Sequence, residues 1–262
     1  METACKITKR LTVEELTFVD YLREQPFISA TVRSHLIDWL LCVGTNRKID
    51  SETLFLAVSL FDRYLSHKAV GAFEVQLVAA ASLLLATRVD DLYDKDTTVN
   101  DIVDHTWRAS YSAQQIDDMA LDIKSTLETA KSKLVVGTAA TFLNVYLSAR
   151  VEESVMHKAI GQLAMYIIER ALSDYYIMAV CRPDQLAAAG LFIARRTLVG
   201  HLDRWWPAAL SKISGCMEND PELRATVRRL KPLFDEKLTP TAVKKKYSCA
   251  AFGEVAKIKL VF

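Results

Sequence analysis

The chain has 262 residues, half of them hydrophobic, and a formal net charge of +1. That length allows one or two domains with a sizeable core. The near-neutral balance removes any bulk electrostatic case for nucleic acid or a membrane surface, and eight glycines and six prolines are too few for a turn-rich β fold. The first predicted helix has a start signal: Thr12 and Glu15 have the spacing of a capping box, and Leu11 and Leu16 that of a hydrophobic staple. It would run to about Arg23, with Phe18 and Leu22 on one face. A second helix is predicted over Ser29–Val43, with Gly44 as its C-cap. A third follows to Leu65, capped by Asp50 or Ser51. Phe73–Val89 is the fourth and Thr97–Asp104 a short fifth. Ser112–Lys133 is long and amphipathic, with Ile116, Met119, Ile123 and Leu127 at helical spacing.

Lys133–Thr138 reads as a joint, after which a second set of helices begins. Thr138–Ala149, Glu152–Leu172, Arg182–Leu198, Pro207–Ile213 and Pro221–Phe234 are the candidates, with Pro183, Pro207 and Pro221 suited to first-turn positions. The tail from Lys237 to Phe262 is mixed, and "AVKKKY" could form one last helix. The halves repeat. Leu56–Leu65 reads LAVSLFDRYL and Leu163–Leu172 reads LAMYIIERAL, which places Glu169 at the position of Asp62 at an offset of 107 residues. Ala80–Arg88 reads AASLLLATR and Ala188–Arg196 reads AAGLFIARR, at an offset of 108. One order at nearly one offset indicates a duplicated helical domain. The alanines of the second pair let neighbouring helices approach closely, as a central helix requires.

Some charges do not suit these helices. Arg33 and Asp62 lie among apolar neighbours, and Arg88, Asp90 and Asp91 close an otherwise apolar run. A buried charge is costly unless paired. Other chemistry is sparse. The five cysteines, Cys5, Cys42, Cys181, Cys216 and Cys249, contain no CxxC pair and suggest a reducing compartment over a disulfide framework. The five histidines lack metal-ligand spacing. No Gly-rich phosphate loop and no nucleophile–base pairing stands out, so no catalytic residue, metal or cofactor is expected. The amino terminus lacks an apolar signal core. The longest apolar run, Val75–Ala86, is too short to span a bilayer. A soluble intracellular protein is the expectation. Trp205–Trp206–Pro207 reads as a packing loop, and Lys244–Lys246 as solvated.

The chain resembles the cyclins, and its text is closest to the A/B-type mitotic group. The residues that carry the resemblance are "YLRE" (Tyr21–Glu24), "VRSHLIDWL" (Val32–Leu40), "ETLFLAVSLFDRYLS" (Glu52–Ser66), "QLVAAASLLLATRVDDLY" (Gln76–Tyr93) and, more loosely, "TAATFL" (Thr138–Leu143). It is strong to about residue 100 and weaker beyond. The implied fold is all-α: an N-terminal helical segment over 1–28, a first cyclin box over 29–134, a second cyclin fold over 135–236 and a tail over 237–262. The family's cellular mitotic members carry an N-terminal degradation region, and this chain begins too close to its first helix to hold a long one. A trimmed cellular cyclin and a short natural form both fit. The short form with a drifting second box also resembles the cyclins carried by herpesviruses.

The resemblance implies roles for the misplaced charges. Arg33 and Asp62 would form a buried pair tying the box's first helix to its second, a task that suits the planar guanidinium fork. Arg88 stands where cyclins carry a lysine that faces the kinase and bonds carbonyls near its C-helix. The implied kinase-binding set is Arg88, Val89, Asp90, Asp91, Leu92 and Tyr93, joined by an acid on the last long helix of the box. Counting to that acid from either end reaches Ile123 or Ala120, neither acidic. Asp122 is favoured, with Asp118 and Glu128 as alternatives. The family's substrate-docking groove falls on Val32, Leu36, Trp39, Val75 and Gln76. His35 and Cys42 make it more polar than usual and leave its taste for Arg-x-Leu motifs in question.

The implied function is a non-catalytic regulatory subunit that binds and activates a cyclin-dependent Ser/Thr protein kinase in cell-cycle control. Substrates or inhibitors would dock on the groove, neither nucleic acid nor membrane would be a partner, and the setting would be nucleus and cytoplasm. A transcription-linked scaffold on the same duplicated fold is the alternative. It would show a basic stripe and salt-sensitive DNA binding. A helical enzyme would need convergent titratable residues, which the text does not offer.

Overall fold

The computed structural model describes residues 20–89, 99–104, 106, 110–149, 154–200, 206–235 and 241–262. The capping box at Thr12 and the staple at Leu11 lie outside the described residues, as do Asp90–Tyr93 and Trp205. Every regular element among the described residues is helical. They fall into two compact units. One runs to Val136 and also takes Ser173–Tyr175; the other takes Gly137–Leu172 and Tyr176–Phe262.

The first unit holds α1 (Ala30–Asn46), α2 (Ser51–Leu65), α3 (Val75–Val89), α4 (Val99–Val103) and α5 (Ala113–Thr129), preceded by a 3-10 turn at Tyr21–Arg23. Ser29, Asp50 and Ser112 cap α1, α2 and α5 by accepting from the backbone three residues on, and Gln115 completes a capping box at α5. From Val75 to Thr87, α3 buries every residue except Gln76. A helix that is apolar all round must be surrounded, and α3 packs against α1, α2, α4 and α5.

Two expectations change here. Gly44 does not end α1, which continues to Asn46. Its lack of a side chain serves packing, because a Cβ there would overlap Leu54 Cδ2 of α2. The last long helix stops at Thr129, short of the expected Lys133. Lys131 takes a positive φ of 56°, and Arg63 of α2 donates to Ser132 Oγ at 2.9 Å and to the carbonyls of Lys133 and Leu134. Those bonds hold the segment off the helical path.

The second unit holds α6 (Ala139–Leu147), α7 (Ser154–Leu172), α8 (Tyr175–Val180), α9 (Pro183–Val199), α10 (Ala208–Ser214), α11 (Pro221–Leu230) and α12 (Ala242–Tyr247); Tyr175 itself belongs to the first unit. Here α9 is central and packs against α6, α7 and α11. Gly190 permits this, since a Cβ there would lie 2.5 Å from Ile168 Cγ2 of α7. Pro183 and Pro221 occupy first-turn positions, whereas Pro207 is the residue before α10. Pro232 follows α11 in a 3-10 turn, Lys231–Phe234. α8 was not expected from the text. Trp206 is buried, donates to the Cys216 carbonyl at 3.2 Å and packs on Phe192.

The carboxyl-terminal segment is part of this unit's core, and Lys246 departs from the expected solvated state. It is 8% exposed, and its Nζ lies 2.9 and 3.0 Å from the two Glu169 carboxylate oxygens. Tyr247 donates its hydroxyl to the same carboxylate at 2.9 Å. Glu169 is 1% exposed. A buried acid of that kind needs all of these donors.

Candidate functional site

The first unit is held by a buried polar cluster. The Arg33 guanidinium meets the Asp62 carboxylate side-on, Nε to Oδ1 at 2.8 Å and Nη2 to Oδ2 at 2.7 Å. Arg33 is wholly buried. Tyr21 donates its hydroxyl to Asp62 Oδ1 at 2.7 Å. The Tyr175 ring stands edge-on to Tyr21, with the Arg33 guanidinium 5.8 Å from its centroid. Burial works against the Arg33 charge, but the Asp62 carboxylate outweighs it and the pKa rises. Burial pushes the Tyr21 hydroxyl up, and the Asp62 charge adds to it. Both residues therefore remain donors to the Asp62 carboxylate. Gln25 adds a second tie. Its amide donates to the Leu65 and Lys68 carbonyls at 2.8 and 2.7 Å, and its oxygen accepts from Val70 N at 3.1 Å. The loop carrying Lys68 is thereby fixed.

Around this interior the charged residues face outward. Arg88, in the last turn of α3, reaches α5 and donates to Asp117 Oδ1 at 2.6 Å. The pair is part-exposed, with side-chain exposures of 48% and 32%. Leu121, one turn beyond Asp117 on the same flank of α5, is 63% exposed. Val89 is half-buried.

The acid beside Arg88 is thus Asp117, where the text favoured Asp122. Asp122 lies on the opposite flank of α5 and is taken by the Lys68 ammonium, at 2.7 Å from each of its oxygens, and by the Tyr64 hydroxyl at 2.6 Å. Burial pushes the Asp122 carboxyl up, but the bonds from Lys68 and Tyr64 and the lysine charge prevail and hold it below its usual range. The two alternatives are also engaged: Asp118 accepts from Gln114 at 2.8 Å, and Glu128 lies 4.0 Å from Lys124. Counting from the helix ends led to Ala120 and Ile123, which belong to the core face with Ile116 and Leu127. The usable signal was that core face itself. Asp117 flanks it on the side where an arginine from a packed helix can reach.

The predicted docking residues divide. Val32 is exposed, and Leu36, Trp39 and Gln76 are part-exposed, so α1 presents Val32, Leu36 and Trp39 along one face. His35 and Cys42 are exposed on the same helix. Val75 is 3% exposed. It packs into the core beneath, unlike its part-exposed neighbour Gln76, and adds almost no surface to that face.

Taken by themselves, these features define an all-α protein of two tandem helical domains with a polar pair exposed at the end of the first domain's central helix. The model of the cyclin N-terminal domain matches residues 4–130, and that of the cyclin C-terminal domain matches residues 137–260. Cyclin-B1-4 of Arabidopsis thaliana is 33% identical over 250 residues, covering 94% of this chain and 61% of the relative. The G2/mitotic-specific cyclin-B of Dictyostelium discoideum is 30% identical, covering 92% of this chain and 53% of the relative. The crystal structure of a viral cyclin from herpesvirus saimiri superposes with a TM-score of 0.70 at 21% identity, over 88% of this chain and 97% of that one. The chain belongs to the cyclin family, and it spans about half to three-fifths of the length of these curated relatives.

Proposed function

We propose that this chain is the regulatory, non-catalytic subunit of a cyclin-dependent Ser/Thr kinase acting in cell-cycle control, in nucleus and cytoplasm. The observation that carries the reading is the Arg88–Asp117–Leu121 face. Arg88 uses one of its donors on Asp117 and meets no other protein group among the described residues. A guanidinium fixed by one acid keeps further N–H groups for a partner's carbonyls. The leucine beside it offers apolar area whose burial would add to affinity. Such a face suits a kinase C-helix, which presents backbone carbonyls at its end and an apolar stripe along its side. A ligand that binds the active placement of that helix more tightly shifts the kinase population towards it. In that placement the C-helix glutamate pairs with the ATP-anchoring lysine. The names of the mitotic relatives support a cell-cycle role. The face of α1 with Val32, Leu36 and Trp39 would receive an extended segment of a substrate or inhibitor. No helix among the described residues is long and apolar enough to cross a membrane.

The test is co-purification with a cyclin-dependent kinase, followed by a kinase assay on the recovered complex. Arg88→Glu should abolish both while leaving helical content unchanged. Retained kinase binding in that variant would sink the role assigned to the face.

A further inference from the structure

Charge is unevenly placed along the chain. The last 42 residues, Pro221–Phe262, hold ten Lys and Arg against four Asp and Glu, while the preceding 220 hold 23 against 28. In the first unit several outward cations have acids beside them: Arg23 with Asp20, Lys68 with Asp122, Arg88 with Asp117 and Lys124 with Glu128. At the carboxyl end Lys246 and Lys257 are paired. Arg228, Arg229, Lys231, Lys245 and Lys259 are exposed, and none of them meets an acid among the described residues.

These cations are gathered by the packing. α11 buries Leu223, Thr226, Val227 and Leu230 on one side, so Arg228 and Arg229 stand on the other, and Lys231 follows in the 3-10 turn. Arg170 of α7 ties that turn to the start of α12, donating to the Leu233 carbonyl and to Thr241 Oγ1 at 2.7 Å each. The Phe234 ring lies 5.9 Å from that of Phe262, which brings the chain end and Lys259 back to the same turn. Like charges held together repel one another, and an anionic partner relieves that repulsion. The partner's class follows from the rings. Phe234 packs on Phe262 and Tyr166, and Tyr247 on Phe252. Among the described residues none of these four carboxyl-terminal rings is more than part-exposed, so this part of the surface offers no open platform on which nucleic-acid bases stack.

We infer that the basic surface of the second unit, Arg228, Arg229, Lys231, Lys245 and Lys259, docks an acidic, Asp- and Glu-rich segment of a partner protein, separately from the Arg88 face. The experiment is fluorescence anisotropy on the full chain with a labelled Glu/Asp-rich peptide of about a dozen residues. An oligothymidylate of equal charge serves as competitor. The peptide should bind saturably at low salt and weaken by at least about tenfold as salt rises, since exposed charges are screened. Arg228→Glu/Arg229→Glu/Lys231→Glu should lower the affinity about tenfold or more with circular dichroism unchanged, and Arg88→Glu should leave it unaltered. If the triple variant misfolds, Lys245→Glu/Lys259→Glu replaces it with the same expected direction. Three outcomes would overturn the inference: no saturable peptide binding at low salt, tighter binding of the oligothymidylate than of the peptide, or unchanged peptide affinity in a folded charge-reversed variant.

Discussion

Asp62 and Glu169 hold matching places in the repeated helix text, and each accepts from a cation and a tyrosine hydroxyl. Their donors come from opposite directions along the chain. Asp62 is met by Arg33 and Tyr21, which precede it. Glu169 is met by Lys246 and Tyr247, which follow it by more than seventy residues. At the repeat offset the counterpart of Arg33 is Ala140, which is fully buried and has no charge to offer. The arginine after each acid has a like role as well: Arg63 holds Ser132–Leu134, and Arg170 holds Leu233 and Thr241. The acid–arginine pair at the end of the second helix is thus common to both units, while the chain segment that satisfies the acid is not. What the packing requires is a donor set at one point in space, and either end of the chain can supply it.

The largest effects should come from stranding these acids. Lys246→Met leaves Glu169, at 1% exposure, without its cation, and Arg33→Met does the same to the slightly more open Asp62. Each should cost roughly 3–5 kcal/mol, with Lys246→Met at the upper end. Denaturant melts will rank them. Glu169→Leu/Lys246→Met should recover most of the loss, because replacing both members of a buried pair by apolar groups is often near neutral. No recovery would show that the carboxyl-terminal helix is held by something else.

Smaller effects should separate the two central helices. Gly190→Ala drives a Cβ into Ile168 and should cost about 1–3 kcal/mol. The matching residue in the first unit is Ser82, fully buried with a hydroxyl that has no partner. Ser82→Ala should therefore be neutral or slightly stabilising, since an unmade hydrogen bond is removed. Thermal melts of both variants will tell whether the two small-residue slots are equally tight.

How much of this was legible beforehand depended on distance along the chain. The long helices follow from apolar periodicity and caps, and Arg33 and Asp62 were visible as charges inside apolar runs. α8 was not, because six residues give too little periodicity to read. Gly44 looked like a C-cap, because only the three-dimensional approach of Leu54 reveals its other use. Asp117 was missed by an error of helix register. Glu169 was visible in the repeat, but its cation looked solvated, since nothing local in AVKKKY separates the buried lysine from the two beside it.

The smallest expected effect lies at Asp122, whose folded-state pKa is depressed. A depressed carboxyl contributes stability that is present above its unfolded pKa and lost as pH falls through the folded one. Wild type should therefore lose a small increment below about pH 4 that Asp122→Asn lacks. The exposed Lys68 partner limits its size. Acid titrations of the melting midpoint will resolve it.

The sharpest contrast remains that between buried pairs that hold the fold and the part-exposed Arg88–Asp117 pair assigned to a partner. A charge swap decides it. Arg88→Asp alone should lose kinase co-purification, and Arg88→Asp/Asp117→Arg should restore the intramolecular pair and the melting temperature without restoring kinase binding. Kinase binding recovered in the swapped chain would mean that the pair merely joins α3 to α5, and would contradict the account.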